Sequence, residues 1–187
     1  TIYPSSMYHR TSSHSSYDTF YVSTGTYKRL NCYAQHFSFY QDAVANAYIF
    51  GKVTPTENSK IKIGVHWYMW GYLYAYWAPF LPTMSVSVNY YWARTSGDTT
   101  PHQLLSEVYY CSLISNPFIT VGALVNGYKH YSTFYTIADK VPVGEEIEIG
   151  VHFNFRIMSW GGEIFRDRTR YTDPLYANVY RIVWEYV

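Results

Sequence analysis

At 187 residues the chain is long enough for one domain that buries roughly 70% of its unfolded surface, so folding needs no metal. Fourteen Lys and Arg against thirteen Asp and Glu leave a formal charge of +1, which argues against a nucleic-acid binder that tracks phosphates with a basic face. Charged residues make up 14%, against about 25% in an ordinary soluble domain, while aromatics reach 21% with 23 tyrosines; this is neither a disordered composition nor that of a helical cytosolic enzyme.

In chain order, the first sixteen residues, TIYPSSMYHRTSSHSS, cannot build a core of their own. They form an arm that lies either on its own domain or on a neighbouring copy. Residues 1–22 are expected to be an extended donor arm, with Ile2, Tyr3, Met7 and Tyr8 as anchors and Tyr17, Phe20 and Val22 continuing the strand. Residues 23–187 then form a single β-sandwich domain. A start at Thr1, with no apolar leader, reads as a mature secreted chain or a trimmed piece. Cys32 and Cys111 are too far apart for a CxxC motif. Either they remain two buried thiols or they form a disulfide, which over so long a loop is worth on the order of 4.5 kcal/mol and implies an oxidising setting. The chain contains no Asn-x-Ser/Thr site for glycosylation.

Period-two alternation dominates the rest of the chain. Ile61, Ile63, Val65, Trp67 and Met69 share one face, as do Met84, Val86, Val88, Tyr90 and Trp92. Ile147, Ile149, Val151, Phe153, Phe155 and Ile157 repeat the pattern, and so do Tyr180, Ile182, Trp184 and Tyr186. Each reads as a half-buried strand. No charge falls between Ile63 and Ala93, but His66, Pro79, Pro82, Asn89 and several tyrosines make that run a β-sheet rather than a membrane helix. Asn126-Gly127 between two apolar runs predicts a type I′ hairpin. Thr100-Pro101 opening HQLLSE predicts one or two helical turns, and Asp42 to Ala47 another short turn. The tetrad IGVH occurs at Ile63–His66 and again at Ile149–His152, within longer similar stretches. Two related halves would explain it, and so would chance likeness between amphipathic strands. Lys60 and Lys62 against Glu146 and Glu148 suggest that these two strands are neighbours, within or between subunits.

Catalytic signatures are lacking. There is no GxSxG elbow, HExxH, GxGxxG or phosphate loop. His66 and His152 read as surface or hydrogen-bonded histidines, Glu145, Glu146 and Glu148 as a solvated strand start, and Arg166, Asp167, Arg168 and Arg170 as a charged loop. The expectation is a non-enzyme without cofactor. The aromatic run containing Tyr72, Tyr74, Tyr76 and Trp77 is a candidate contact surface, since such rings serve both sugar stacking and protein interfaces.

Many strands and little helix give an all-β antiparallel sandwich, jelly-roll-like, with roughly eight to ten strands. A Tyr/Ser/Thr-rich, helix-poor chain led by an arm resembles the extracellular filament subunits of archaea, the bundling pili and threads that assemble by donor-strand complementation. The resemblance is one of organisation, with no motif. It implies an extracellular homopolymer, an arm inserted into the next identical subunit, and contacts with surface glycans or other filaments. A jelly-roll capsid protein is an alternative, lowered by an arm with only Arg10 as cation in its first 27 residues. A secreted carbohydrate-binding module is a second alternative. No nucleic-acid partner and no transmembrane segment are expected.

Overall fold

The computed structural model describes residues 1–13, 18–23, 27–36, 41–76, 83–95, 101–112, 121–129, 133–159, 161–165 and 175–187. After one 3-10 turn (Pro4–Ser6) come β1 (Tyr8–Ser13), β2 (Asp18–Ser23), β3 (Lys28–His36), β4 (Gln41–Val53), β5 (Ile61–Tyr76) and β6 (Thr83–Arg94). β7 (His102–Ser112), β8 (Val121–Lys129), β9 (Tyr135–Thr136), β10 (Ile147–Ser159), β11 (Gly161–Phe165) and β12 (Leu175–Tyr186) complete an all-β sandwich. These are twelve strands among the described residues, more than the eight to ten expected, because short edge segments lack any sequence period of their own.

One sheet has the order β1-β4-β10-β6-β7; the other runs β11-β3-β12-β5-β8, with β2 added on β3 and β9 on β5. Every pairing is antiparallel. β11 and β12 lie end to end beside β5: Gly161 to Phe165 face Tyr76 to Tyr72, and β12 resumes with Tyr176 opposite Trp70. Gly71 stands at this junction because a Cβ there would come within 2.5 Å of the Leu175 side chain.

The core is the meeting of the two alternating faces. Ile61, Ile63, Val65, Trp67 and Met69 of β5 are fully buried against Ile147, Ile149, Val151 and Phe153 of β10 and Val86, Val88 and Tyr90 of β6. A buried indole N–H needs a partner, and Trp67 Nε1 donates to the Tyr90 hydroxyl at 3.0 Å, tying one sheet to the other. The Trp67 ring meets Phe153 edge-on at 5.9 Å. Both IGVH strands therefore lie inside their sheets, β5 between β12 and β8, β10 between β4 and β6. Within the chain they are therefore not the adjacent strands that their charges suggested. Each buries its apolar face from opposite sides of one core, and their charges find other partners: Lys62 meets Glu185 at 2.9 Å and Glu146 meets Lys52 of β4 at 3.5 Å.

Three local expectations also fail. Asn126-Gly127 is not a hairpin turn: β8 runs straight through it, with Gly127 opposite Met69 and Asn126 opposite Trp70. A full row of β5 partners outweighs the local turn preference. Asp42 to Ala47 is strand, in register with β10 throughout, and buries Ala45 and Ala47. HQLLSE is strand as well, paired with β6 across a register shift between Val88 and Asn89 that leaves Ser106 without a partner residue. His102 stacks on Trp92 at 4.0 Å, which anchors its start.

The described part of the arm lies on its own chain. Ile2 exchanges backbone hydrogen bonds with Ile182 (2.7 and 3.0 Å), and β1 pairs with β4 from Tyr8–Phe50 to Ser13–Ala45. Ile2 and Met7 are buried, while Tyr3 and Tyr8 are exposed. Home slots explain this: Gly51 lacks the Cβ that would come within 2.5 Å of the Ile2 side chain, so Ile2 fits over it. The boundary expected after residue 22 falls inside β2, where Phe20 and Val22 pair with Cys32 and Leu30. Tyr17 lies outside the described residues, as do the side chains of Phe20 and Val22.

Candidate functional site

The seven-stranded sheet carries aromatic rows on its outer face. The odd residues of β5 fill the core, so His66, Tyr68 and Trp70 face away from it and remain half-buried. In β12 the same parity brings out Tyr176 and Asn178. The register then slips between Val179 and Arg181, so that Arg181 pairs with His66 and Tyr180 is the extra residue of a bulge. Bulges re-aim side chains, and this one sets the Tyr180 ring 5.0 Å from His66. Alternation in the sequence instead grouped Tyr180 with Ile182, Trp184 and Tyr186; the bulge separates it from them. Tyr68 and Trp70 lie 6.5 Å apart with ring planes at 17°, and Tyr176 is 6.2 Å from Tyr68. Burial, then the neighbouring Tyr176 and Tyr180, raises the Tyr68 phenol above its ordinary range.

At one side of these rings stands Arg29 of β3, paired across the strand with Asn178. Its Nε donates to Asn178 Oδ1 at 2.8 Å and its Nη2 to the Tyr27 hydroxyl at 3.1 Å. The guanidinium carbon sits 5.0 Å from the Tyr27 ring centre and 4.6 Å from that of Tyr176. Asn178 is buried, and its Nδ2 donates to the Tyr180 hydroxyl at 3.4 Å. The result is a field of half-buried rings around a cation and an amide that are hydrogen-bonded to each other.

The outer face of the five-stranded sheet is built differently. Glu148 of β10 is buried and accepts two hydrogen bonds from Arg10 of β1 (2.7 and 3.2 Å) and one from the Tyr91 hydroxyl at 3.2 Å. Burial, then the adjacent Glu148 carboxylate, pushes the Tyr91 phenol far up, and the hydrogen bond to Glu148 raises Arg10. His152 stacks flat on Tyr48 at 4.2 Å. Its Nε2–H donates to Asn46 Oδ1 at 2.8 Å, which leaves Nδ1 to accept from Asn89 Nδ2 at 3.5 Å. That arrangement requires a neutral ring, and burial, then Arg10, lowers His152 to about 4. Asn154 donates to the same Asn46 oxygen at 2.7 Å. Phe50, Tyr91 and Ala93 close a small apolar cluster above Gly150.

Among the predicted contact residues, Tyr72, Tyr74 and Tyr76 continue β5 beyond Trp70, paired with β8 or β11, but their side chains lie outside the described residues, as does Trp77 entirely. Cys32 is buried on β3, and the backbone of Cys111 pairs with Met84 in the other sheet; the Cys111 side chain, and with it the disulfide, lies outside the described residues. The Arg166–Arg170 cluster is likewise outside them. Sequence reasoning missed Tyr27, Arg29, Tyr176 and Asn178 in the first face and Arg10 and Tyr91 in the second. Among the described residues no three His, Cys, Asp or Glu side chains converge as metal ligands would, and no helix is long and apolar enough to cross a membrane.

No family model and no curated protein matches the chain. Among solved structures it is similar to the enzymatically active domain of tailspike protein 4 of bacteriophage CBA120, at 12% identity and a TM-score of 0.33, over 98% of this chain and 20% of that one. It is also similar to the module TmCBM61 in complex with β-1,4-galactotriose, at 9% identity and a TM-score of 0.28, over 96% of this chain and 88% of that one. The chain thus spans about a fifth of the tailspike domain's length.

Proposed function

We propose that this chain is a non-catalytic carbohydrate-binding module of an extracellular protein, and that glycans bind on the outer face of the seven-stranded sheet. One observation carries the reading: Tyr68 and Trp70 present nearly parallel, half-exposed rings on a rigid strand, flanked by Tyr176 and by the His66–Tyr180 pair. The C–H face of a pyranose is apolar and stacks on such rings, while its hydroxyls seek fixed donors and acceptors. Strands hold the rings in place without a ligand, so little ordering entropy is lost on binding.

The test is calorimetric titration with soluble polysaccharides, comparing the natural chain with Trp70→Ala, Tyr176→Ala and, on the opposite sheet, Tyr91→Phe. Removing a ring that carries binding lowers affinity about tenfold or more. Trp70→Ala and Tyr176→Ala therefore weaken binding, and Tyr91→Phe does not. A folded Trp70→Ala chain that binds as well as the natural one overturns the reading.

A second reading, the filament subunit, draws on one feature: Ile2 and Met7 are buried anchors of an edge segment. A sister copy's arm would fill the same slots, and arm exchange would link chains into polymers. Sedimentation at increasing concentration tests it, with and without residues 1–13. Polymers that vanish with the arm support the reading, and a monomer at every concentration rejects it.

A further inference from the structure

We infer that the glycan taken by this face is acidic, and that Arg29 binds the carboxylate of a uronic-acid unit beside the stacked rings. The inference rests on the carbohydrate-binding reading and names the ligand class of the same face.

Arg29, like Lys28, Lys60 and Lys140, makes no ion pair among the described residues, whereas four other cations do. Arg10, Lys52, Lys62 and Arg94 each contact a carboxylate, from Glu148, Glu146, Glu185 and Glu145. Arg29 contacts none among the described residues. Its partners are neutral: the Asn178 amide oxygen, the Tyr27 hydroxyl and the faces of two tyrosine rings. Those partners hold the guanidinium in one orientation without neutralising it. They occupy Nε and one hydrogen of Nη2, and no described residue takes up Nη1. The Nη1–Nη2 edge is thus a planar fork of donors, which matches a carboxylate in two parallel hydrogen bonds. Arg29, half-buried, stands next to Tyr176, whose ring is 6.2 Å from Tyr68. A sugar stacked on those rings would bring a substituent on its C5 side to the fork. A neutral sugar offers a hydroxymethyl group there, and a uronate offers a charge.

The experiment compares one backbone with and without its charge. Polygalacturonate and its fully methyl-esterified form differ only in ionised carboxyls, alginate offers other uronates, and a sulfated galactan offers sulfate in place of carboxylate. The natural chain is expected to bind polygalacturonate or alginate about tenfold more tightly than the esterified polymer, the gain from one charge-assisted pair. Added salt should reduce that preference. Arg29→Gln abolishes the preference, Arg29→Lys keeps part of it, and Trp70→Ala weakens binding to both polymers. Circular dichroism confirms that each variant is folded. Equal affinity for charged and esterified polymers overturns the acidic-ligand inference and leaves the glycan reading standing. A preference for the sulfated galactan alone overturns the carboxylate assignment. Binding to no polysaccharide overturns both.

Discussion

The two outer faces of this sandwich use the same residue types to opposite ends. On the five-stranded sheet, Arg10, Tyr91, His152 and three asparagines turn their polar atoms on one another and on a buried carboxylate. On the seven-stranded sheet, Arg29 binds Asn178 and Tyr27, Asn178 binds Tyr180, and the rings of Tyr68, Trp70 and Tyr176 stay half-buried. A network whose hydrogen-bonding groups are satisfied internally is costly to open and has little left to offer a ligand. A cation such as Arg29, which meets only neutral partners among the described residues, has more to give. Composition alone does not separate a structural polar cluster from a binding face; the direction of the hydrogen bonds does.

That contrast predicts where the fold breaks. The largest effect is at Gly150, beneath Phe50 and Tyr91 on the closed face. A Cβ there would collide with the Ile49 carbonyl oxygen and stand 2.7 Å from Phe50 Cα, so backbone rather than a flexible side chain would have to move. Gly150→Ala should cost about 3 kcal/mol or more, as severe overpacking does, read as a lowered midpoint in urea unfolding.

Acid should weaken the same face nearly as much. His152 has an ordinary value of 6.5 and a folded value of about 4. The unfolded chain therefore takes up the proton first. Stability from the neutral ring is complete above about pH 6.5 and falls as pH drops towards 4, where the folded ring also protonates and the loss levels off. The span corresponds to about 3 kcal/mol. Urea midpoints at pH 7 and pH 4, compared between the natural chain and His152→Gln, isolate this contribution from the carboxylates. A natural chain no more acid-sensitive than the variant would mean that the ring is not held neutral.

The ion pair on this face should prove lopsided. The Glu148 side chain is 6% exposed and that of Arg10 is 52%. Arg10→Met leaves a buried carboxylate with the Tyr91 hydroxyl as its remaining hydrogen-bond donor, at a cost of about 2 kcal/mol, below the range for fully buried pairs because Arg10 is half in water. Glu148→Gln lets Arg10 turn to solvent and should cost about half as much. Both are measured by thermal unfolding. Equal costs would mean that Glu148 finds water once Arg10 is gone.

The fold was legible where one signal sufficed. Alternation in β5, β6 and β10 announces both the strands and the core, because burial on one side forces period two. What failed were positions where local chemistry competes with sheet pairing. Asn126-Gly127 carries a strong turn signal, and HQLLSE a helix start, yet each lies against a long strand that supplies partners along its length. The arm was legible as apolar anchors needing a slot, but nothing in its residues says whose slot. The open face was hidden for a different reason. Tyr180 joins it through a bulge, and Arg29 meets Asn178 across 149 positions of sequence. Register between distant strands decides both, and no local period encodes it.

The smallest expected effect sharpens the comparison most. Trp70 sits on the open face, half-buried, stacked on Tyr68 and not in the core. Trp70→Ala should cost about 1 kcal/mol of stability, near the centre of the distribution for single substitutions, although tryptophan is the largest side chain. A ring kept for the fold would cost about 3–5 kcal/mol when truncated. Urea unfolding of this variant therefore separates the two roles before any ligand is known. A small loss means that the ring is held out for something other than the chain's own stability, and a large one means that the open face is as structural as the closed one.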